Sequence, residues 1–459
     1  MNTPYKYKKD SGLKWLDEVP AHWEVRRLKF VVRYQNSNVD KKSYEGQKNV
    51  RLCNYTDVYY NEKITNNMDF MVATATDAEI KSMCLKEGDV VITKDSEDPA
   101  DIGIPAIISE PLDNVVCGYH LTVLRTKEPD AARYLHRAIQ SHPSRAHFFV
   151  ESPGVTRFGL NQEAIGGLTI PVPPIVERNQ IAAFLDEKTT QIDQLIEKKT
   201  RFIELLKEKR AALITEAVTG KFDARPPGKG EVPESAGSGF GVRTGKPYAE
   251  YKDSGVGWLG EVPAHWKTRR LKYAAPLRNI KIVAGESHLP YIGLENIESW
   301  SGKYVVQDEA NDSEGLSSSF YPGDVLFGKL RPYLAKAFLA DFEGMCSSEL
   351  LVLQGKGVQP EFLVRFVLSV GFIREVDSST YGAKMPRASW DFIGNLPVTL
   401  PPTAEQSTIT AFLDKKTTQI DQLIKTTQQS INLLKEKRAA LITAAVTGKI
   451  DVRDYKQTR

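Results

Sequence analysis

The sequence predicts an α+β protein built as a pseudo-twofold tandem repeat, in which two mixed α/β regions are each followed by a long helix. Three observations predict this fold. One unit occurs twice, its ends are nearly identical in the two copies, and the residues between those ends have diverged. Because a long helix with a one-sided apolar stripe is unstable alone, the two helices are expected to pack on each other.

The repetition is visible directly in the sequence. Residues 14–30 (KWLDEVPAHWEVRRLKF) return as 257–273 (GWLGEVPAHWKTRRLKY), with 12 of 17 positions identical at an offset of 243. Two further blocks return at an offset of 228: FLDEKTTQIDQLI at 184–196 as 412–424, and LLKEKRAALITEAVTGK at 205–221 as 433–449. The second copy is therefore 15 residues shorter than the first.

The middles of the two copies share only a few markers. GDVVITK (88–94) aligns with GDVLFGK (323–329), and Cys117 aligns with Cys346. Runs typical of strands are VRLCNY, GDVVITK and HLTVLRT in the first copy, and YIGLENI, GDVLFGKL and LLVLQ in the second. RYLHRAIQ and EFLVRFVLSV are typical of helices, so each middle is predicted to be mixed α/β.

A coiled-coil period defines the two helices. In the first, alternating steps of three and four residues connect Leu185, Lys188, Ile192, Leu195, Lys199, Phe202, Leu206, Lys209 and Leu213. In the second, the same register contains Leu413, Ile420, Leu423, Leu434 and Leu441. Pro-Pro pairs at 173–174 and 401–402 precede the helices, and Gly220 and Gly448 follow them. Each helix is predicted to have about 36 residues and a length of about 54 Å.

These patterns divide the chain into six segments. They are a first α/β region (1–174), a first helix (175–221), a Pro/Gly/Ser-rich linker (222–250), a second α/β region (251–402), a second helix (403–449) and a tail (450–459).

Composition excludes several classes of protein. The 61 basic and 58 acidic residues give a net charge of +3, too balanced for a polybasic protein, so any nucleic-acid-binding face must concentrate its charge locally. No run approaches the roughly 20 apolar residues of a membrane span, and the N-terminus lacks a signal-peptide pattern. Four dispersed cysteines suit a reducing compartment, so we expect a cytoplasmic protein without membrane attachment.

Motifs for catalysis do not emerge. The Asn/Asp-Pro-Pro-aromatic tetrapeptide and Gly-rich loop of a DNA methyltransferase are absent from the sequence, and the best P-loop candidate, Gly245-Lys246, lacks the first glycine and the Ser/Thr. His136, His142 and His147 share no helical face because Pro143 intervenes. The nuclease-like letters Glu197-Lys198-Lys199 fall within a helix. We therefore predict no catalytic residue and no metal ligand.

At this point the chain resembles a known family. Two variable α/β regions, each followed by FLD..TTQID.LI…LLKEKRAALIT..VTGK and preceded by EVPAHW, resemble the specificity subunit of type I restriction–modification enzymes. The resemblance covers essentially the whole chain.

The resemblance implies a set of functional expectations. Each variable region would be a target recognition domain that reads one half of a bipartite, asymmetric site in double-stranded DNA, and the helices would form an antiparallel coiled coil that spaces the two domains. The subunit itself would be non-catalytic and bind no cofactor. Its partners would be two modification subunits, which methylate adenine with S-adenosylmethionine, and two restriction subunits, which use ATP and Mg²⁺.

The residues independently favour the same logic. Two copies in one chain mimic a dimeric reader, different middles predict different half-sites, and a 36-residue helix spans at most about 16 base pairs. Two other classes stay open: a self-contained methyltransferase with permuted motifs, which S-adenosylmethionine binding would reveal, and a protein scaffold, which salt-dependent DNA binding would count against.

Candidate DNA-binding residues are cations and amides in loops of the two middles. They are Lys94, Arg157, Asn161 and Gln162 in the first middle, and Lys329, Arg331, Lys384 and Arg387 in the second, with Tyr119 and Arg125 as weaker candidates. The repeated basic blocks Arg26, Arg27, Lys29 and Arg269, Arg270, Lys272 either hold phosphates or form the solvated face of a helix, and we favour the structural interpretation. Trp15, Trp23, Trp258 and Trp266 are expected to anchor the core rather than stack on bases.

Candidate partner-binding residues lie in the repeated helix block. Thr189, Thr190 and Gln191 recur as Thr417, Thr418 and Gln419 although they lie off the predicted apolar seam, whereas 197–204 keeps one residue of eight. Packing alone would preserve the seam and free the surface. We therefore predict that both repeated blocks bind identical partner subunits; recent duplication or sequence exchange is the alternative explanation.

Overall fold

The computed structural model describes residues 4–13, 15–225, 247–283, 288–306 and 315–455. Most of the predicted linker, including Gly245-Lys246, lies outside these ranges. The chain divides into two compact units, unit 1 (1–199 and 429–459) and unit 2 (200–428). Each unit thus combines one α/β region with part of each long helix, so the compact units regroup the six sequential segments.

Unit 1 contains the first mixed α/β region. Its strands are β1 (Lys8–Leu13), β2 (Leu16–Pro20), β3 (Glu24–Arg27), β4 (Val32–Asn36), β5 (Lys48–Cys53), β6 (Lys63–Ile64), β7 (Met71–Ala75), β8 (Val90–Thr93), β9 (Asp95–Ser96), β10 (Pro105–Ile108), β11 (Val115–Cys117), β12 (Leu121–Thr126), β13 (Phe158–Gly159) and β14 (Thr169–Val172). Its short helices are α1 (Leu28–Val31), α2 (Tyr55–Tyr60), α3 (Asp77–Met83), α4 (Ala132–Gln140), α5 (His142–Val150) and α6 (Gln162–Gly167). A five-stranded sheet, β4-β12-β8-β10-β6, and a three-stranded sheet, β11-β5-β7, form its centre. Every residue of β8 is buried, as the apolar run VVIT predicts for a central strand.

In its described residues, unit 2 repeats this plan with fewer strands. They are β15 (Tyr251–Asp253), β16 (Glu261–Pro263), β17 (Lys267–Arg270), β18 (Lys281–Val283), β19 (Tyr291–Ile292), β20 (Leu316–Phe320), β21 (Asp324–Gly328), β22 (Ala337–Leu339), β23 (Gly344–Cys346), β24 (Leu350–Gln354) and β25 (Pro397–Leu400). Its short helices are α8 (Leu271–Ala274), α9 (Pro360–Val367), α10 (Val370–Ser378) and α11 (Trp390–Ile393). The sheet β22-β21-β24 corresponds to the five-stranded sheet, because β21 and β8 lie in the aligned segments 323–329 and 88–94. The sheet β18-β20-β23-β19 corresponds to β11-β5-β7, because β23 contains Cys346 and β11 contains Cys117. The predicted mixed α/β character is confirmed in both middles.

Two helices of 44 residues, α7 (Ile175–Val218) and α12 (Thr403–Val446), run through the repeated blocks. Each is longer than predicted, at about 65 Å. In unit 1, Arg438 donates to Asp193 at 2.9 Å, and Leu185 shares a core with Ile442 and Val446. A later residue of one helix thus meets an earlier residue of the other, which is the predicted antiparallel coiled coil.

The seam differs from the predicted one at every second position. The predicted seam residues Leu195 and Phe202 are 43% and 39% exposed. The buried positions lie one residue later, at Thr189, Ile203 and Arg210. Leu185 and Leu206 belong to both the predicted and the observed register. Such shared positions do not allow the sequence to distinguish the two registers. Arg210 occupies a seam position where an apolar residue is usual. Its burial is possible because its guanidinium donates a hydrogen bond to Asp421 at 3.0 Å.

The helix ends are fixed by two glycines. Gly220 and Gly448 have φ of +74° and +72°, and a Cβ would lie 2.3 Å from Pro263 and Pro20, respectively. A side chain at either glycine would collide with the EVPAHW motif of the same unit. The prediction that these glycines terminate the helices is confirmed.

The segments after the helices belong to the cores. Phe222 and Tyr248, at the two ends of the predicted linker, are 3% and 5% exposed in unit 2. In the tail, Val452 is 2% exposed in unit 1, where Tyr455 packs on Phe184. Each long helix therefore delivers a short core segment to the unit in which it ends.

Candidate nucleic-acid interface

In unit 1, three chain segments bring Lys94 and Arg157 together. Lys94 follows the buried strand β8, and its backbone N–H donates to the carbonyl of His120 at 3.0 Å. Asp95 and Ser96 pair with Phe158 and Gly159 across the short β9–β13 ladder. The ladder positions Arg157 beside the Asp95 and His120 side chains.

The side chains of this cluster, named the unit 1 cluster (Lys94, Asp95, Tyr119, His120 and Arg157), are connected by polar contacts. Arg157 Nη2 lies 3.0 Å from Asp95 Oδ1 and 3.4 Å from the Tyr119 hydroxyl. Asp95 also binds His120 Nδ1. Lys94 Nζ lies 5.7 Å from the centre of the Tyr119 ring. Arg157, with a 58% exposed side chain, therefore has a fixed position and faces solvent.

Unit 2 has the same backbone arrangement at the corresponding position, but with different side chains. The Lys329 N–H donates to the carbonyl of Glu349 at 3.0 Å, and Ala388 N–H donates to Lys329 O at 3.0 Å. Leu330 and Arg387 form a bridge, as Asp95 and Gly159 do in unit 1. The unit 2 cluster (Lys329, Arg331, Glu349, Tyr381 and Arg387) thus shares the backbone of the unit 1 cluster but few of its side chains.

The remaining DNA candidates differ in their surroundings. Asn161 caps α6, because its Oδ1 accepts the Ala164 N–H at 2.7 Å, so this predicted base contact has a structural explanation. Gln162 and Lys384 are exposed. Arg331 is exposed with φ of +49°, and its N–H donates to Pro386 O at 2.8 Å. The weaker candidate Arg125 is committed to Asp89 through two hydrogen bonds.

The arginines of the repeated basic blocks lie on strands, whereas Lys29 and Lys272 lie on the helical turns α1 and α8 that follow. Arg26 and Arg27 end β3, and Arg269 and Arg270 end β17; all four are exposed. A single turn of helix follows, with Leu28 fully buried. The expected helical face is therefore wrong for the four arginines but correct for the two lysines, and the repeated Trp–Leu pair enters the core as expected.

A buried glutamate binds the repeated His-Trp pair, of which the sequence had assigned a role only to the tryptophan, as a core anchor. Glu405 accepts hydrogen bonds from Trp266 Nε1 at 3.0 Å, His265 Nε2 at 2.8 Å and the Tyr248 hydroxyl at 2.6 Å. Burial, together with this hydrogen bond, raises the pKa of the Tyr248 phenol. Glu177 binds Trp23 and His22 in the same way in unit 1.

The tryptophans do not all behave as predicted. Trp23 and Trp266 are fully buried, which confirms them as anchors, and Trp258 packs on Phe366 and Phe372. Trp15 is 47% exposed, so the prediction that it anchors the core is wrong.

The partner-binding candidates separate into buried and exposed positions. Thr189 and Thr417 are 1% and 3% exposed, and Thr189 accepts a hydrogen bond from Arg137 at 3.1 Å. Packing within each unit therefore explains their recurrence. The exposed repeated residues are Thr190, Gln191, Thr418 and Gln419. Leu195 and its counterpart Leu423, 43% and 49% exposed, extend these surfaces.

Equivalent clefts lie beside these surfaces. The unit 1 cleft has a volume of about 730 Å³, and Thr190, Asp193 and Arg438 contribute to its lining. The unit 2 cleft of about 610 Å³ is lined in part by Thr418 and Asp421. In each unit an arginine binds the repeated aspartate, so the two clefts share a polar wall.

One buried histidine makes unit 1 sensitive to pH. Burial lowers the pKa of His136 on α4 to about 4, and the neighbouring Arg137 acts in the same direction against Glu62 and Asp186. The folded protein keeps this imidazole neutral, whereas the unfolded chain takes up a proton near pH 6.5. The contribution of neutral His136 to the stability of unit 1 is therefore present above pH 6.5 and is lost as the pH falls from there toward 4.

We expect the wild-type protein to lose about 2 kcal/mol of unit 1 stability through this group between pH 7.5 and pH 5.0. His136→Val should lose correspondingly less. Valine is a suitable control because Val364, the residue at offset 228, is buried at 6% exposure in unit 2. Thermal unfolding at both pH values measures the difference, and an equal loss in both proteins would contradict the assignment.

Comparison with known proteins identifies the family. The family model for the type I restriction modification DNA specificity domain matches residues 20–205 and 266–433, one match in each repeat. The chain belongs to this family of specificity proteins. The recognition made from the repeated motifs is confirmed.

Two relatives of this specificity subunit each share 22% sequence identity with it. The Escherichia coli type I restriction enzyme EcoDI specificity subunit is 22% identical over 290 residues, which cover 62% of this chain and 63% of that protein. The putative MjaX specificity subunit of Methanocaldococcus jannaschii is 22% identical and is covered over 98% of its length, with 97% of this chain. A solved chain, reported for complex assembly and conformational transition of the type I R-M system, matches with a TM-score of 0.61 and 15% identity, covering 94% of this chain and 99% of that one. That similarity supports the fold.

Within the described ranges, no group of three or more His, Cys, Asp or Glu side chains is placed to hold a metal ion. His147 binds the Ala164 carbonyl at 2.8 Å, whereas His136 is buried with Arg137 and Glu62. No described helix is long and apolar enough to span a membrane.

Proposed function

We propose that this specificity subunit reads a bipartite, asymmetric site in double-stranded DNA, with one half-site for each unit. The observation that carries the proposal is the pair of clusters with the same backbone but different exposed side chains. A base edge is distinguished by the donors and acceptors it meets, so two different clusters favour two different half-sites. Joining both readers in one chain makes the second contact intramolecular and strengthens binding.

The long helices would limit the spacer between the half-sites. A helix of 44 residues is about 65 Å long, or about 19 base steps of 3.4 Å, so we expect a spacer below this limit.

The repeated helix surfaces would bind two copies of a modification subunit. Exposed Thr190, Gln191 and Leu195 have identical counterparts in unit 2 at an offset of 228. Identical surfaces suit identical partners, whereas the diverged stretch 197–204 lies outside them. These subunits would bind S-adenosylmethionine and methylate adenine, and two restriction subunits would supply the ATP- and Mg²⁺-dependent activity, so that this chain acts without catalysis of its own.

The test is the adenine methylation pattern of cells carrying this chain and its modification subunit. We expect a motif of two unequal half-sites with a fixed spacer, and we expect it to disappear when this chain alone is deleted. An unaltered pattern would contradict the proposal if the purified chain also showed no salt-dependent binding to duplex DNA.

A further inference from the structure

Both the backbone and the side chain of Arg387 form hydrogen bonds with other residues of the unit 2 cluster. Its backbone N–H donates to Tyr381 O at 3.0 Å, and its carbonyl accepts the Tyr381 N–H at 3.1 Å. Its Nε lies 3.2 Å and 3.1 Å from the two Glu349 oxygens. The guanidinium is therefore positioned before any ligand arrives, which reduces the entropy lost on binding.

The contact through Nε leaves the outer edge of the guanidinium available. Neither terminal nitrogen of Arg387 has a hydrogen bond to a described residue, and the side chain is 39% exposed. Two parallel N–H groups match the O6 and N7 acceptors of guanine in the major groove. A phosphate would suit this place less, because the Glu349 carboxylate would repel it.

Unit 1 contains a counterpart built from unrelated positions. Arg157 is held by Asp95 at 3.0 Å, but at an offset of 228 it corresponds to Met385 rather than to Arg387. The acids also differ in origin, because Asp95 follows β8 whereas Glu349 precedes β24. Each of the two diverged copies thus has an arginine, bound by an acidic side chain, on the loop that pairs with the segment following β8 or β21.

We propose that Arg387 recognises a guanine in the half-site read by unit 2, with Glu349 as its positioning residue. This assignment rests on the function proposed above. It separates Arg387 from its neighbours: Lys384, on the same loop and exposed, would hold phosphate and bind all sequences alike.

The test uses the complex of this chain with its modification subunits and duplexes that carry the methylated motif with single base-pair changes. For the wild type, changing one G·C pair of one half-site should weaken binding by about 5- to 100-fold. Arg387→Gln should remove this penalty while preserving the penalties at other positions. Glu349→Gln should reduce the same penalty and strengthen binding to unrelated DNA. Lys384→Gln should weaken binding to all duplexes equally and lower their salt dependence.

The outcomes separate two failures. A wild-type complex that shows no sequence preference would overturn the proposed function. A wild-type complex with a clear bipartite preference, combined with an Arg387→Gln variant that keeps every G·C penalty, would overturn only the assignment of Arg387. Loss of all discrimination in Arg387→Gln, together with unchanged discrimination in Glu349→Gln, would overturn it as well, because the arginine would then act on the whole cluster.

Discussion

Replacing Glu405 with leucine is expected to destabilise unit 2 by about 3 kcal/mol or more. The carboxylate is 8% exposed and accepts hydrogen bonds from Trp266, His265 and Tyr248. Without it, the fully buried indole N–H and the phenol lose their acceptor, and each unsatisfied buried group costs about 1–3 kcal/mol.

Amide hydrogen exchange measures this effect separately in the two units. In Glu405→Leu, amides of unit 2 should exchange faster than in the wild type by about two orders of magnitude. Glu405→Gln is the matched control, because its carbonyl oxygen still accepts from the indole. Glu177→Leu should produce the corresponding change in unit 1. Unaltered protection of unit 2 in Glu405→Leu would show that the glutamate contributes little.

Replacing both Leu195 and Leu423 with glutamate is expected to abolish assembly with the modification subunits. Each leucine is about half exposed, and the two are counterparts within the repeated helix surface. Burying a leucine at an interface contributes about 1.5–3 kcal/mol, and a buried unpaired carboxylate adds a further cost. We expect at least a 10-fold loss of affinity at each surface.

Single variants make this experiment specific. Leu195→Glu and Leu423→Glu should each reduce the complement of modification subunits from two to one, as measured by native mass spectrometry. Phe202→Glu is the control, because Phe202 is 39% exposed but lies in the stretch that is not repeated. Thr189 is unsuitable for such a test, since a charge at this buried position would disturb the fold. Two bound subunits in the double variant would refute this docking surface.

The sequence by itself determined the architecture. The repeated blocks predicted two copies, the period of three and four predicted long paired helices, and the glycines at 220 and 448 predicted their ends. The family followed from the same letters. These features are local or periodic, so a single chain is sufficient to read them.

Tertiary structure decided which side chains those patterns bury. Leu195 was predicted in the seam and is exposed, whereas Thr189 was predicted at the surface and is buried against Arg137. Registers one residue apart share half of their positions, and the choice between them depends on the polar contacts made by Thr189 and Arg210 across the unit. Sequence periodicity does not contain those contacts.

The candidate site followed the same division. Lys94, Arg157, Lys329 and Arg387 were identified as cations in loops, but the acid partners of the two arginines come from elsewhere in the fold. Asp95 is 62 residues from Arg157, and Glu349 is 38 residues from Arg387. Likewise, Glu405 meets Trp266 across 139 residues. Hydrogen bonds between distant segments depend on how the sheets and helix ends pack, and only the folded chain brings their donors and acceptors together.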